Sequence, residues 1–113
     1  RVLEEITRQI ADGYAVTAGP QEVLHALRNG RASCLVLGPD PGQIASRCTG
    51  CGWSFATVQE TCSFCLARCE KTNLWQQILT LALRHAVAVE FVGANAALAR
   101  HGGVAAQLSR EAP

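Results

Sequence analysis

An α/β domain, a two- or three-layer sandwich around a small and mostly parallel sheet, is the fold class this sequence predicts. Three features predict it. Apolar residues recur at helical spacing in separate stretches, and two short apolar segments, Ala32 to Leu37 and Val87 to Val92, have the length of strands. A long helical stretch lies between those two segments, which implies a parallel pair joined by a crossover. With 113 residues, 49% hydrophobic and 17% charged, the chain has the composition of one globular domain.

The elements follow in chain order. Val2, Leu3, Ile6 and Ile10 recur every three or four residues, predicting an amphipathic helix that ends near Gly13. Tyr14 to Thr17 reads as a short strand or extended link. Gly19-Pro20 opens a second helix, since proline is tolerated in the first turn; Val23, Leu24 and Leu27 form its core face and Asn29-Gly30 its left-handed stop. The run ASCLVL is too short for a helix and reads as a strand covered on both faces. Gly38-Pro39-Asp40-Pro41-Gly42 ends it. After a cysteine-rich segment, Asn73 caps a third helix with Gln76 as its capping-box partner. Leu74, Ile78, Leu81 and Ala82 form that helix's buried stripe, widened by Trp75, Leu79 and Leu83. A second strand over Val87 to Val92, a short helix through Ala96 to Arg100, a Gly102-Gly103 turn and a final strand over Val104 to Leu108 complete the chain.

Composition narrows the classes of function. The net charge of +1 is too balanced for a chain held mainly by phosphate neutralisation. The basic residues, including Arg8, Arg28, Arg31, Arg47, Lys71 and Arg84, are dispersed, which reads as a solvated surface. No stretch reaches the roughly 20 apolar residues of a membrane span, and no basic-then-apolar leader is visible. The absence of Met and the start at Arg1, directly in a helical pattern, read as a domain cut from a longer protein.

The segment from Arg47 to Cys69 carries the chemistry. Cys48-x-x-Cys51, ten residues, and Cys62-x-x-Cys65 are two knuckles that can close a tetrahedron of thiolates around one metal. Zinc is preferred because it is redox-silent and suits closed four-sulfur sites, with iron as the competing metal. Disulfides or scattered free thiols are the other readings, and paired Cys-x-x-Cys spacing in a reducing compartment argues against them. Four protein ligands leave no open position, so the metal would be structural, one per chain. Gly50 and Gly52 flank Cys51, where a tight turn must aim amides at sulfur. Trp53, Phe55 and Phe64 can cap the small insertion, and Arg47, Arg68 and Lys71 can offset its negative charge. Cys69 reads as a spare thiol beside the site, with replacement of one of the four ligands as the other reading, and Cys34 as a small buried hydrophobe. His25, His85 and His101 are far apart and read as structural or solvated. No nucleophile with a base and no paired carboxylates stand out, so no catalytic residue and no small-molecule substrate are assigned.

Two stretches carry a family resemblance. QEVLHALRNGRASCLVL (Gln21 to Leu37) and VAVEFVGANAALARHGGVAAQLSR (Val87 to Arg110) resemble the C-terminal domain of archaeal and eukaryotic class 1 peptide chain release factors and of the related ribosome-rescue protein Pelota. Archaeal members often insert a pair of Cys-x-x-Cys knuckles between these parts, as this chain does. The resemblance implies a sandwich like that of kink-turn-binding ribosomal proteins, with the zinc-knuckle insertion at about 47–69, in a cytoplasmic, translation-associated protein. It implies contact with a protein partner, such as a translational GTPase or the ribosome, and no catalysis. The family's Gly-Gly-Gln hydrolytic loop belongs to a separate domain, and Gly102-Gly103-Val104 stands here in a strand-entry context instead. The GPDPG linker and the Ser109-Arg110-Glu111 ending depart from the family pattern, which points to a divergent relative. Binding of ribosomal or transfer RNA is the alternative function, and Cys-x-x-Cys thiol redox chemistry a further one.

Overall fold

The computed structural model describes residues 16–108, so the helix expected over Val2 to Ile10 lies outside the described residues. Within them the chain runs β1 (Val16–Ala18), α1 (Pro20–Arg28), β2 (Ala32–Leu37), β3 (Ile44–Cys48), β4 (Ser54–Phe55) and β5 (Cys69–Asn73). It continues through α2 (Leu74–Arg84), β6 (Ala88–Phe91), α3 (Ala96–Ala99) and β7 (Val104–Leu108).

Four strands form the main sheet in the order β1-β7-β2-β6. The β2–β6 pair is parallel, from Cys34 opposite Ala88 to Leu37 opposite Phe91, as the helix between them requires. The other two ladders, β1–β7 and β2–β7, are antiparallel. The expectation of a mostly parallel sheet is corrected to that extent within an α/β fold. The last strand turns back at Gly102-Gly103 and slots between β1 and β2, where its small buried Ala105 and Ala106 fit both faces.

Leu35, Val36 and Leu37 are all fully buried, so β2 is covered on both faces. Leu35 and Leu37 meet the α1 and α2 side chains Val23, Leu24, Leu27, Leu74 and Ile78 in the main core. Val36 faces the other way, onto Leu98 of α3 and Ala105. Truncating one of these fully buried leucines to alanine costs about 2–5 kcal/mol by the usual transfer and cavity terms.

The helix ends follow the local chemistry. Asn73 accepts the Gln76 amide at 2.9 Å and caps α2. α1 ends with the Gly30 amide on Leu27 O and the Arg31 amide on Ala26 O, with Gly30 at φ 68°. α2 ends with the same pair of bonds, from Ala86 to Leu83 O and from Val87 to Ala82 O, although Ala86 rather than glycine holds the left-handed position at φ 56°. Trp75 is buried as expected and donates its indole N–H to Gly38 O at 2.9 Å. Leu83 differs from expectation: it is 83% exposed, one step past the side of α2 that meets the sheet.

A second, three-stranded sheet in the order β4-β3-β5 carries the cysteine segment. It spans Ile44 to Asn73, wider than the 47–69 insertion read from the cysteines. Its entry and exit strands pair antiparallel from Ile44 opposite Asn73 to Cys48 opposite Cys69. Asn73 closes β5 and caps α2 at once, so the excursion leaves and rejoins the β2–α2 connection at one point. Ala45 and Ala56 belong to the main core, and Gln21 of α1 bridges to β4, donating to Ser54 O and accepting the Ala56 amide.

Candidate metal centre

Two turns of the second sheet bring the cysteines together. In the first, the chain leaves β3 at Cys48, the Gly52 amide reaches Cys48 O at 3.1 Å, and the Cys48 amide reaches Trp53 O at 2.9 Å. In the second, the Leu66 amide reaches Cys62 O at 3.0 Å and the Cys62 amide reaches Ala67 O at 2.8 Å. The two turns therefore repeat one hydrogen-bond skeleton. Each aims amides at its first sulfur: Gly50 and Cys51 at Cys48 Sγ (3.2 and 3.3 Å) and Phe64 at Cys62 Sγ (3.3 Å).

The sulfurs of Cys48, Cys51, Cys62 and Cys65 all lie within 4.8 Å of one another. Across the two knuckles Cys48 and Cys65 approach to 3.3 Å and Cys51 and Cys62 to 3.8 Å. A tetrahedron with metal–sulfur bonds of about 2.3 Å has edges of about 3.8 Å, so the donor type and spacing fit a four-thiolate metal site. They do not fit S–S bonds of about 2.05 Å. Neither pair opens a helix; both sit in strand-to-strand turns, unlike a Cys-x-x-Cys redox motif at a helix N-terminus.

Cys48 and Cys62 are buried, while Cys51 and Cys65 are exposed. Burial is the largest influence on the Cys48 thiol and pushes it up. The Cys51 amide, the Cys65 thiol and the Gly50 amide together outweigh it and bring Cys48 down to about 6. Cys62 is also held below the ordinary thiol value, chiefly by the Cys65 amide and then by Phe64 and Cys51 against burial. At Cys51 the Trp53 amide lowers the thiol, but burial and the three neighbouring sulfurs raise it to about 11.

The surroundings are partly as expected. Phe55 is buried with Cys48 and Cys62, and Trp53 packs against them. Phe64 stacks on Phe55 and meets Trp53 edge-on, yet is itself 69% exposed. Arg47, expected to offset the cluster's charge, is ion-paired with Glu70 across the β3–β5 ladder. Cys69 stands outside the four-sulfur group, on β5, its thiol raised by burial and then by the charges of Cys48, Cys62 and Cys65. Cys34 is half-buried rather than buried, and burial followed by Glu90 raises its thiol. His85 is the C-cap of α2, and His101 lies in the turn before β7. Gly102 belongs to that same turn: its φ is 82° and a Cβ there would meet Pro20 Cδ at 2.7 Å, so packing accounts for the glycine.

Three residues outside the four cysteines support the cluster in ways their local sequence does not show. Arg28 lies 5.3 Å over the Trp53 ring and donates to Cys51 O at 3.3 Å. His25 meets the same ring edge-on at 5.0 Å, so α1 supports the first knuckle from outside it. Leu66 takes φ 66°, the place that Gly52 holds at φ 79° in the first knuckle. Aligning the two Cys-x-x-Cys pairs would have pointed to Leu66. No local signal points to Arg28, whose contacts span more than twenty residues.

Together these features define the class: an α/β sandwich domain bearing a small sheet with a two-knuckle, four-cysteine cluster. No family model and no curated protein matches the chain. Among solved structures it is similar to the C-terminal domain of Peptide Chain Release Factor from Methanosarcina mazei, at 21% identity and TM-score 0.66, covering 98% of this chain and 80% of that one. The resemblance drawn from Gln21 to Leu37 and from Val87 to Arg110 therefore holds at the level of fold. Among the described residues no helix is long and apolar enough to cross a membrane.

Proposed function

We propose that this chain is a non-catalytic interaction domain, built on one structural zinc held by Cys48, Cys51, Cys62 and Cys65, within a longer, cytoplasmic, release-factor-like protein of translation. The observation that carries the reading is the four-sulfur cluster, with amides aimed at its two buried members, on a fold shared with a release-factor C-terminal domain. Four protein ligands complete a tetrahedron and leave no place for a substrate, so the zinc holds the insertion together. The sandwich and the insertion then present a surface to a protein partner, with a translational GTPase or the ribosome the first to test.

Elemental mass spectrometry on protein purified without added metal tests the zinc site, with Cys48→Ser and Cys62→Ser alongside. One zinc per chain, lost in both variants, supports the reading. Metal-free protein with thiols paired as disulfides overturns it and favours redox chemistry. Co-sedimentation with ribosomes, with and without a translational GTPase, tests the partner; retention in neither case sinks the translation assignment.

A further inference from the structure

A groove of about 1080 Å³ lies between the second sheet, α2 and the end of α1. Four of the ten Lys and Arg residues line it (Arg28, Arg47, Lys71 and Arg84), against one of the nine acidic residues, Glu70. The chain as a whole is nearly neutral, so positive charge that is scattered in sequence is gathered here by the fold. Ile44 and Val58, each about half exposed, add apolar surface, and Leu81 closes the floor.

Two further lining residues are polar, buried and incompletely bonded. Ser54 is 2% exposed and Gln77 7%. Ser54 Oγ and Gln77 Oε1 have no hydrogen-bond partner among the described residues. Such groups cost about 1–3 kcal/mol each when left unsatisfied, so native structures rarely leave them without a partner, whether protein, ligand or ordered water.

We infer that this groove docks an extended acidic segment of a partner protein, its carboxylates on Lys71, Arg84 and Arg28 and an apolar side chain between Ile44 and Val58. This deepens the protein-contact role proposed above and rests on it. A peptide fits better than RNA because no aromatic side chain lines the groove, which removes the stacking platform that single-stranded bases use.

The test is fluorescence anisotropy on the 113-residue chain. The probes are a short labelled peptide alternating glutamate and leucine, its lysine–leucine counterpart, and labelled oligouridylate. The glutamate peptide is expected to bind, to weaken with salt, and to lose about tenfold or more in affinity in the double variant Lys71→Glu, Arg84→Glu. Both side chains are exposed, so the variant is expected to keep its circular dichroism and metal content. Ile44→Ser is expected to weaken binding less. Absence of glutamate-peptide binding, binding untouched by the double variant, or preferential binding of oligouridylate each overturns the inference. Metal content of the same sample separates the two proposals: zinc-loaded protein that ignores the peptide sinks the groove alone, and metal-free protein sinks the site.

Discussion

The two knuckles share a backbone and differ in almost everything attached to it. Both make the same turn bond, the same closing bond and the same amide-to-sulfur contact. The first carries Gly50 and Gly52, and Trp53 just beyond it rests against His25 and Arg28 of α1. The second puts Phe64 and Leu66 at the matching positions and leaves them 69% and 76% exposed. The shared part is what four sulfurs converging on one point require. The unshared part reflects location: the first knuckle is wedged between helix and cluster, whereas the second faces solvent.

The largest break in the comparison comes from the inner sulfurs. Cys48→Ser and Cys62→Ser should each abolish metal binding and unfold the second sheet beyond Ala45, because free energies of about 10–16 kcal/mol accompany zinc binding in small zinc-folded peptides. Hydrogen exchange should show amides of residues 46–72 losing protection while β2 and α2 keep theirs. Equal loss in both regions would mean that the sandwich depends on the cluster.

Next is Gly50→Ala. A Cβ there would meet Ala67 Cβ at 2.8 Å and Cys65 Sγ at 3.3 Å, so the knuckle must shift at an overpacking cost of about 1–3 kcal/mol. Phe64→Ala, at the matching place, should lose only ring contacts worth about 0.5–1.5 kcal/mol. Denaturant melts of the metal-loaded protein order the pair, and an equal or reversed ranking would refute the wedge.

The left-handed positions give a smaller effect of opposite signs. Leu66→Gly relieves about 1–2 kcal/mol of backbone strain and restores about 0.4–1 kcal/mol of unfolded-chain entropy, leaving a net gain of about 0–1.6 kcal/mol. Gly52→Ala should lose a similar amount. Destabilisation by Leu66→Gly would show that its exposed side chain makes contacts that outweigh the strain. Smallest is Arg28→Ala, which removes a cation–π contact worth about 0.5–1 kcal/mol at a partly exposed site. Its effect should shrink in a Trp53→Leu background, as a double-mutant cycle would show.

Legibility in the sequence followed burial and local chemistry. Strand β2 was readable because ASCLVL is continuous and bounded by Gly30 and Gly38; α2 because Asn73 precedes a four-residue apolar stripe; the sulfur set because Cys-x-x-Cys spacing is itself a geometry. Strands β3 and β5 (IASRC and CEKTN) were not readable. They lack apolar alternation, and no residue of β5 is fully buried; they exist as strands because they pair with each other. Leu83 was misjudged because helical periodicity gives the centre of a buried stripe more reliably than its edge.

By itself the sequence determined α1, α2, β2 and β6, the caps at Asn29-Gly30 and Asn73, and the paired thiols, since each depends on a short stretch of chain. The tertiary structure alone decided the antiparallel insertion of β7 between β1 and β2, the support of the first knuckle by Arg28, and the gathering of Arg28, Arg47, Lys71 and Arg84 around one groove. Those features depend on which buried faces stack and which distant side chains are thereby brought together. Spacing along the chain records neither.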